Sequence, residues 1–180
     1  MATTINRRVT FAEFEQLSGS HDGRFELRHG EPVKVPPPKL PHARIQHRLR
    51  RMLESVVRDS GEIITEWGFR PVPANEYRVG DIVFISRERW DRLPADGYFE
   101  GAPDIVIEIL SPSNTAVEML DKEQICLENG AREFWIVDAN RRQVRISTPD
   151  GRAATCKSGR QIPLLFGGSI PLDAIFRDEN

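Results

Sequence analysis

The sequence predicts an α/β fold: a mixed sheet flanked by helices, extended at its N-terminus by a β-hairpin. Three observations predict it. Two stretches, His42 to Arg58 and Thr115 to Asn129, carry apolar residues at helical spacing. Apolar runs of strand length lie between and after them. Stripped of the hairpin, the order reads αβββαββ, for which a sheet layered between helices is the expected arrangement.

Each element has its own signal. Thr10 to Leu17 reads as a short helix, with Thr10 and Glu13 as a capping box. Phe25 to Leu27 and Pro32 to Val35 pair around His29-Gly30, a turn-compatible dipeptide. The run VPPPKLP, Val35 to Pro41, is a stiff connector. In the first long helix, Ile45, Leu49, Met52, Leu53 and Val56 mark one face, and Gly61 ends it. Strands follow at Glu62 to Arg70, Val79 to Ser86 and Asp104 to Leu110. The second helix opens on a capping box, Thr115 and Glu118, and closes with Gly130 at the C′ position. Its apolar arc comprises Val117, Met119, Leu120, Cys126 and Leu127, with Lys122 half-buried at the margin. Glu133 to Val137 and Gln143 to Ser147 are strands around the turn DANRR, and Leu164 to Phe176 ends the chain with a short strand and a helical turn.

With 180 residues the chain is expected to form a single domain, residues 1–180. At 39% hydrophobic, 29% charged and a net charge of -2, it lacks the global signature of a nucleic-acid binder, which leaves a local basic groove open. Two cysteines, Cys126 and Cys156, make neither a CxxC pair nor a disulfide framework. MATTINRRVT lacks the apolar core of a signal peptide, and no apolar run reaches membrane-spanning length. A cytoplasmic protein without membrane contact is the expectation.

The chemistry begins with GAPDIVIEILSPSN, Gly101 to Asn114. Glu108 lies inside a strand whose neighbours read as buried on both faces, and a buried carboxylate needs a cationic partner. Asp81, in VGDIVFIS, opens the preceding strand. Two acids on neighbouring strands can hold a divalent cation through oxygen ligands. Lys122 can reach such a cluster from its helix. Two acids, a metal and a lysine suit hydrolysis of a phosphodiester.

Plainer readings stand beside these. Asp81 fits a strand-entry cap, and Lys122 a solvated helix lysine. Asp104 shares the facing of Glu108 but starts about 13 Å away, too far for one metal, so it reads as a strand-start residue. His42 and His47 are five apart and share no helical face, so structural zinc is not expected. Arg44, Arg48, Arg50 and Arg51 read as a solvated surface, with phosphate contact as the alternative. Trp90, Tyr98 and Phe99 pack their long loop or stack on bases. Trp135 reads as core.

FELRHGE (Phe25 to Glu31), PHARIQHRL with His42, GDIVFIS, APDIVIEILSPSN, Lys122 and GAREFWIVD (Gly130 to Asp138) together carry a resemblance. From about Phe11 to Phe176 the sequence resembles the Uma-two family of restriction-endonuclease-like proteins, a branch of the PD-(D/E)xK nuclease superfamily. The resemblance implies a restriction-endonuclease-like fold. It implies that Asp81 and Glu108 match the first and second motif acids, and that they bind Mg²⁺ or Mn²⁺ with the Ile109 carbonyl as third ligand. The motif lysine would fall two residues after the second acid, where Leu110 stands; in this branch Lys122 matches it from the next helix. Glu26 and Glu31 match hairpin acids and His42 a common histidine, with Glu31 and His42 as candidate site members. Gly80 replaces a usual proline, His29 a frequent acid and Cys126 a frequent aromatic, the last implying smaller, wetter surroundings for Lys122. The activity implied is metal-dependent cleavage of DNA to 5′-phosphate products, with a homodimer by analogy. The alternative is a catalytically silent nuclease-fold module for nucleic-acid binding or assembly.

Overall fold

Thr10 and Glu13 exchange the hydrogen bonds of a capping box: the Glu13 amide donates to Thr10 Oγ1 at 3.3 Å, and the Thr10 amide to Glu13 Oε2 at 2.8 Å. They open helix α1, Phe11–Ser18, in a computed structural model that describes residues 8–18, 23–112 and 114–177. Residues 1–7, where a leader would begin, and Ser113 of the SPSN run lie outside the described residues. The hairpin follows as β1, Arg24–Arg28, and β2, Glu31–Val35, with Arg28 opposite Glu31. His29 and Gly30 both have positive φ, 50° and 80°. A two-residue turn with both centres left-handed matches the twist of the strands it joins.

Helix α2, Leu40–Val57, starts with Pro41 in its first turn, where a missing amide costs nothing. Ile45, Leu49, Leu53 and Val57 bury its apolar face. A 3-10 turn, Arg58–Ser60, leads into β3, Gly61–Arg70, and β4, Arg78–Ser86. Then come α3, Arg87–Trp90, β5, Phe99–Glu100, and β6, Ile105–Ile109. Helix α4, Ala116–Glu128, carries the expected box on Thr115 and Glu118. The chain continues as β7, Glu133–Asp138, β8, Gln143–Ser147, β9, Ala153–Cys156, β10, Gln161–Pro163, β11, Ser169–Pro171, and α5, Leu172–Ile175.

Seven strands make one mixed sheet in the order β5-β3-β4-β6-β7-β8-β9. The pairs β5–β3 and β6–β7 are parallel and the rest antiparallel. A parallel pair cannot be joined by a hairpin, so α4 serves as the crossover from β6 to β7. Ile105, Ile107 and Ile109 join the core formed with α2 and the C-terminal elements. Val106 joins the second core, with Val83, Ile85, Phe134 and, from α4, Ile125 and Cys126. Strand β6 is therefore buried on both sides, as its composition predicts, and Glu108 faces α4 by alternation.

Three expectations change. The elements α3, β5, β9 and β10 carry two to four residues each, too few to show a period. Val117 and Leu120 are 76% and 57% exposed, so they are not part of a buried arc. The buried side of α4 is instead Met119, Lys122, Glu123, Ile125 and Cys126. Ion pairs to the hairpin and sheet claim it: Asp121 meets Arg78, Lys122 meets Glu26, and Glu123 meets Arg145. Third, Lys122 is buried rather than half-buried, and Cys126 is fully buried beside it, so its surroundings are not wet.

Packing places several of the other residues singled out in the sequence. Asp104 is buried and accepts from the Ser86 amide at 2.9 Å while pairing with Arg89 at 3.3 Å, a strand-start role. Trp135 is core. Phe99 is buried, Trp90 packs on Trp67, and Tyr98 meets Phe11 and Tyr77 edge-on. Arg50 pairs with Glu54 on the helix surface, and Arg48 donates to the Ile175 carbonyl, fastening α5 to α2.

Candidate active site

Strand register brings the acids into a row. Ile82 pairs with Ile107 across β4 and β6, so the next step places Asp81 opposite Glu108. On the other side, Thr65 pairs with Ile82 and Trp67 with Gly80, which places Glu66 opposite Asp81. Glu66, Asp81 and Glu108 thus occupy one row across β3, β4 and β6.

Lys122 reaches the row from α4. Its Nζ lies 2.9 Å from Glu108 Oε1 and 3.1 Å from Glu26 Oε1, and donates to the Val79 carbonyl at 2.8 Å. Two hydrogen bonds and an ion pair thus engage the ammonium. Glu26 is equally well held: the Val79 amide donates to it at 2.9 Å and Arg28 Nε at 2.8 Å. A further shell anchors the hairpin. Arg78 bridges Glu76 and Asp121 at 2.8 Å each, His29 contacts the same two acids, and Arg28 reaches Glu118 at 2.8 Å.

The electrostatics follow from burial and these partners. Burial opposes ionisation of Glu26, but Lys122, Arg28, the Val79 amide and Arg78 outweigh it and hold the carboxyl at about 2. Burial pushes Glu108 up to about 8; Lys122 pulls it down, while Asp81 and Glu26 push it further up. Lys122 is held above its ordinary range: burial opposes its charge, and Glu108 and Glu26 outweigh burial. Two carboxylates and a backbone carbonyl enclose the Lys122 ammonium, so it is charged at neutral pH.

The other half of the site is less complete. Asp81 Oδ2 accepts from the Ile109 amide at 2.8 Å, and Oδ1 lies 3.3 Å from His42 Nε2. Gln46, one turn beyond His42 on α2, donates to Glu66 Oε1 at 2.5 Å and to the Asp81 carbonyl at 2.7 Å. Arg24 forms an ion pair with Glu66. Glu66 has a φ of 56° inside β3, a left-handed conformation that costs a non-glycine residue about 1–2 kcal/mol. Ligand atoms of His42, Glu66 and Asp81 all lie within 4.8 Å of one another. His42 Nε2 and Glu108 Oε1 are buried without a hydrogen-bond partner, although Lys122 forms an ion pair with the latter. Orphaned buried atoms are costly, and a divalent cation held by His42, Glu66 and Asp81 would satisfy the His42 nitrogen. The donors, carboxylate oxygens and one imidazole nitrogen, therefore fit such an ion.

The residues singled out in the sequence separate as follows. Asp81, Glu108, Lys122 and Glu26 come together, and His42 joins them through Asp81. The Ile109 amide donates to Asp81 Oδ2. Glu31 sits on the exposed strand β2, opposite Arg28 and outside the cluster. Glu66 is the residue sequence reasoning missed. It lies in EWGFR, among polar and apolar residues with no regular alternation. Its place opposite Asp81 follows from strand register, which its neighbours in sequence do not encode.

A solved structure shares the arrangement of elements. It is a crystal structure described as a "putative nuclease" from Anabaena variabilis ATCC 29413, with a TM-score of 0.79 and 21% sequence identity, covering 93% of this chain and 97% of that one. At that identity the likeness is one of fold. No curated protein matches the chain. Among the described residues no helix is long and apolar enough to cross a membrane. The model of the Uma2 family, described as "Putative restriction endonuclease", matches residues 11–173. The chain belongs to the Uma2 family.

Proposed function

We propose that the protein is a metal-dependent nuclease that hydrolyses phosphodiester bonds of DNA. The observation that carries this reading is the buried Lys122 ammonium, 2.9 Å from Glu108, in a cluster that includes Asp81. Asp81 and Glu108 would hold Mg²⁺ or Mn²⁺, with the Ile109 carbonyl as a further ligand. When bound, the ion polarises the scissile phosphate and acidifies the attacking water. Lys122 remains protonated, so it donates hydrogen bonds and offsets charge developing on phosphate instead of removing a proton. Glu26 and the Val79 carbonyl aim the ammonium and act as positioning groups. His42 faces Asp81 from 3.3 Å. Glu31 is assigned no step.

A second reading has an observation of its own. Lys122 already supplies Glu108 with a cation, as it would in a nuclease-fold module that binds nucleic acid without turnover. Plasmid nicking separates the two. Wild type with Mg²⁺ or Mn²⁺ is expected to convert supercoiled plasmid to nicked circles, and a chelator to stop it. Glu108→Gln and Lys122→Met, each checked for fold by circular dichroism, should lose about a hundredfold or more in rate. Folded variants that nick at the wild-type rate would overturn the residue assignments. A wild type that binds Mn²⁺ yet cuts no DNA would favour the binding module.

A further inference from the structure

Resting on the metal-dependent reading above, we infer that Glu66 and His42 are metal ligands that make the centre selective for a first-row transition ion over Mg²⁺. Three observations converge. Glu66 is the one non-glycine residue of β3 in the left-handed region, at a φ of 56°, and the pairs on either side of it set it opposite Asp81. Strained backbone of this kind persists where surrounding structure over-determines it, and it clusters at functional sites. The Nε2 of His42 is buried without a hydrogen-bond partner and points at Asp81 from 3.3 Å, so an imidazole nitrogen faces the carboxylates. One ligand atom from each of His42, Glu66 and Asp81 fits within 4.8 Å of the others, a span one ion can bridge.

The chemistry sets the preference. Mg²⁺ is a hard ion that keeps its waters and takes one or two carboxylates. Imidazole suits first-row transition ions instead. A centre of oxygen ligands alone would leave Mg²⁺ and Mn²⁺ close in affinity. The nitrogen of His42 tips the balance, and Glu66 adds charge to hold the ion on the α2 side of the row. Gln46, donating to both Glu66 and the Asp81 backbone, fixes the distance between the strands. A purely structural role for Glu66 is the competing account, because Gln46 and Arg24 already engage it.

The probe is Mn²⁺ alone, titrated into the full chain and followed by electron paramagnetic resonance. Wild type is expected to bind Mn²⁺ at least tenfold tighter than Mg²⁺ in competition. Its electron spin-echo envelope should carry nitrogen modulation from a coordinated imidazole. His42→Ala should lose that modulation and most of the Mn²⁺ preference, and Glu66→Gln should weaken Mn²⁺ binding at least tenfold while retaining the modulation. Bound Mn²⁺ without nitrogen modulation, or folded variants at these two positions that bind like wild type, would overturn the inference and leave the reading at Asp81 and Glu108 intact. Binding that survives Asp81→Asn, or no binding at all, would remove both.

Discussion

The two halves of the acid row differ in how completely the protein has satisfied them. On the α4 side, Lys122 has two hydrogen bonds and an ion pair, Glu26 has three polar partners, and Arg78 is bracketed by two acids. On the α2 side, His42 Nε2 has no hydrogen-bond partner, and Glu66 is held in a left-handed conformation. Glu108 stands between, paired with Lys122 through an oxygen that still lacks a hydrogen bond. The lysine half also holds structure together, because it ties the hairpin, β4 and α4 to one another. The histidine half leaves an imidazole nitrogen without a hydrogen bond and a glutamate in a left-handed conformation. Substitutions should therefore act on stability in one half and on metal affinity in the other.

The largest expected effect is on the lysine side. Lys122→Met would leave the ionised Glu26 buried without its cation, and breaking a buried pair from one side costs about 3–5 kcal/mol. Urea denaturation of metal-free protein measures it. A loss under about 1 kcal/mol, the range of an exposed pair, would show that the two halves do not differ in this way.

Next in size is a pair of opposite pH dependences. Glu26 sits at about 2 when folded, below its ordinary 4.5. Its contribution is present above 4.5 and lost as pH falls toward 2. Glu108 sits at about 8, above its ordinary 4.5, so the stability tied to its protonated form is complete below 4.5 and lost as pH rises through 8. Metal-free Glu108→Gln should therefore be flatter than wild type between pH 5 and 8, by about 1–3 kcal/mol across the interval. Glu26→Gln should remove part of the acid-side loss instead. Denaturation midpoints measured along the pH scale test both, and saturating Mn²⁺ should flatten the wild-type curve because it replaces the proton on Glu108.

The smallest effect concerns Glu66. Glu66→Gly relieves the left-handed strain, which is worth about 1–2 kcal/mol, but gives up the contacts to Gln46 and Arg24. The net change in metal-free stability should be within about 1 kcal/mol, while Mn²⁺ affinity falls. A metal-free loss several times larger would place Glu66 with the structural half.

The sequence made most of this legible, and the gaps have physical causes. The capping boxes at Thr10 and Thr115 and the His29-Gly30 turn are local, so they could be read from neighbouring residues. Glu108 was legible because an acid among isoleucines demands a partner. The identity of its partners was not. Lys122 looked like a margin residue because the wheel of α4 assigns Val117 and Leu120 to the buried side. Those two face out, because ion pairs with Glu26, Arg78 and Arg145 decide which side of the helix turns inward. Glu66 was invisible for a different reason. Its place beside Asp81 depends on the β3–β4 register and on a positive φ that no residue-type pattern encodes for glutamate.

The central claim, that the acid row takes a divalent cation, is tested most directly by anomalous diffraction from crystals soaked in Mn²⁺. The account predicts one strong peak about 2.0–2.6 Å from carboxylate oxygens of Asp81 and Glu108, with His42 and Glu66 in its shell. No peak at the row, with Lys122 still seated on Glu108, would contradict it.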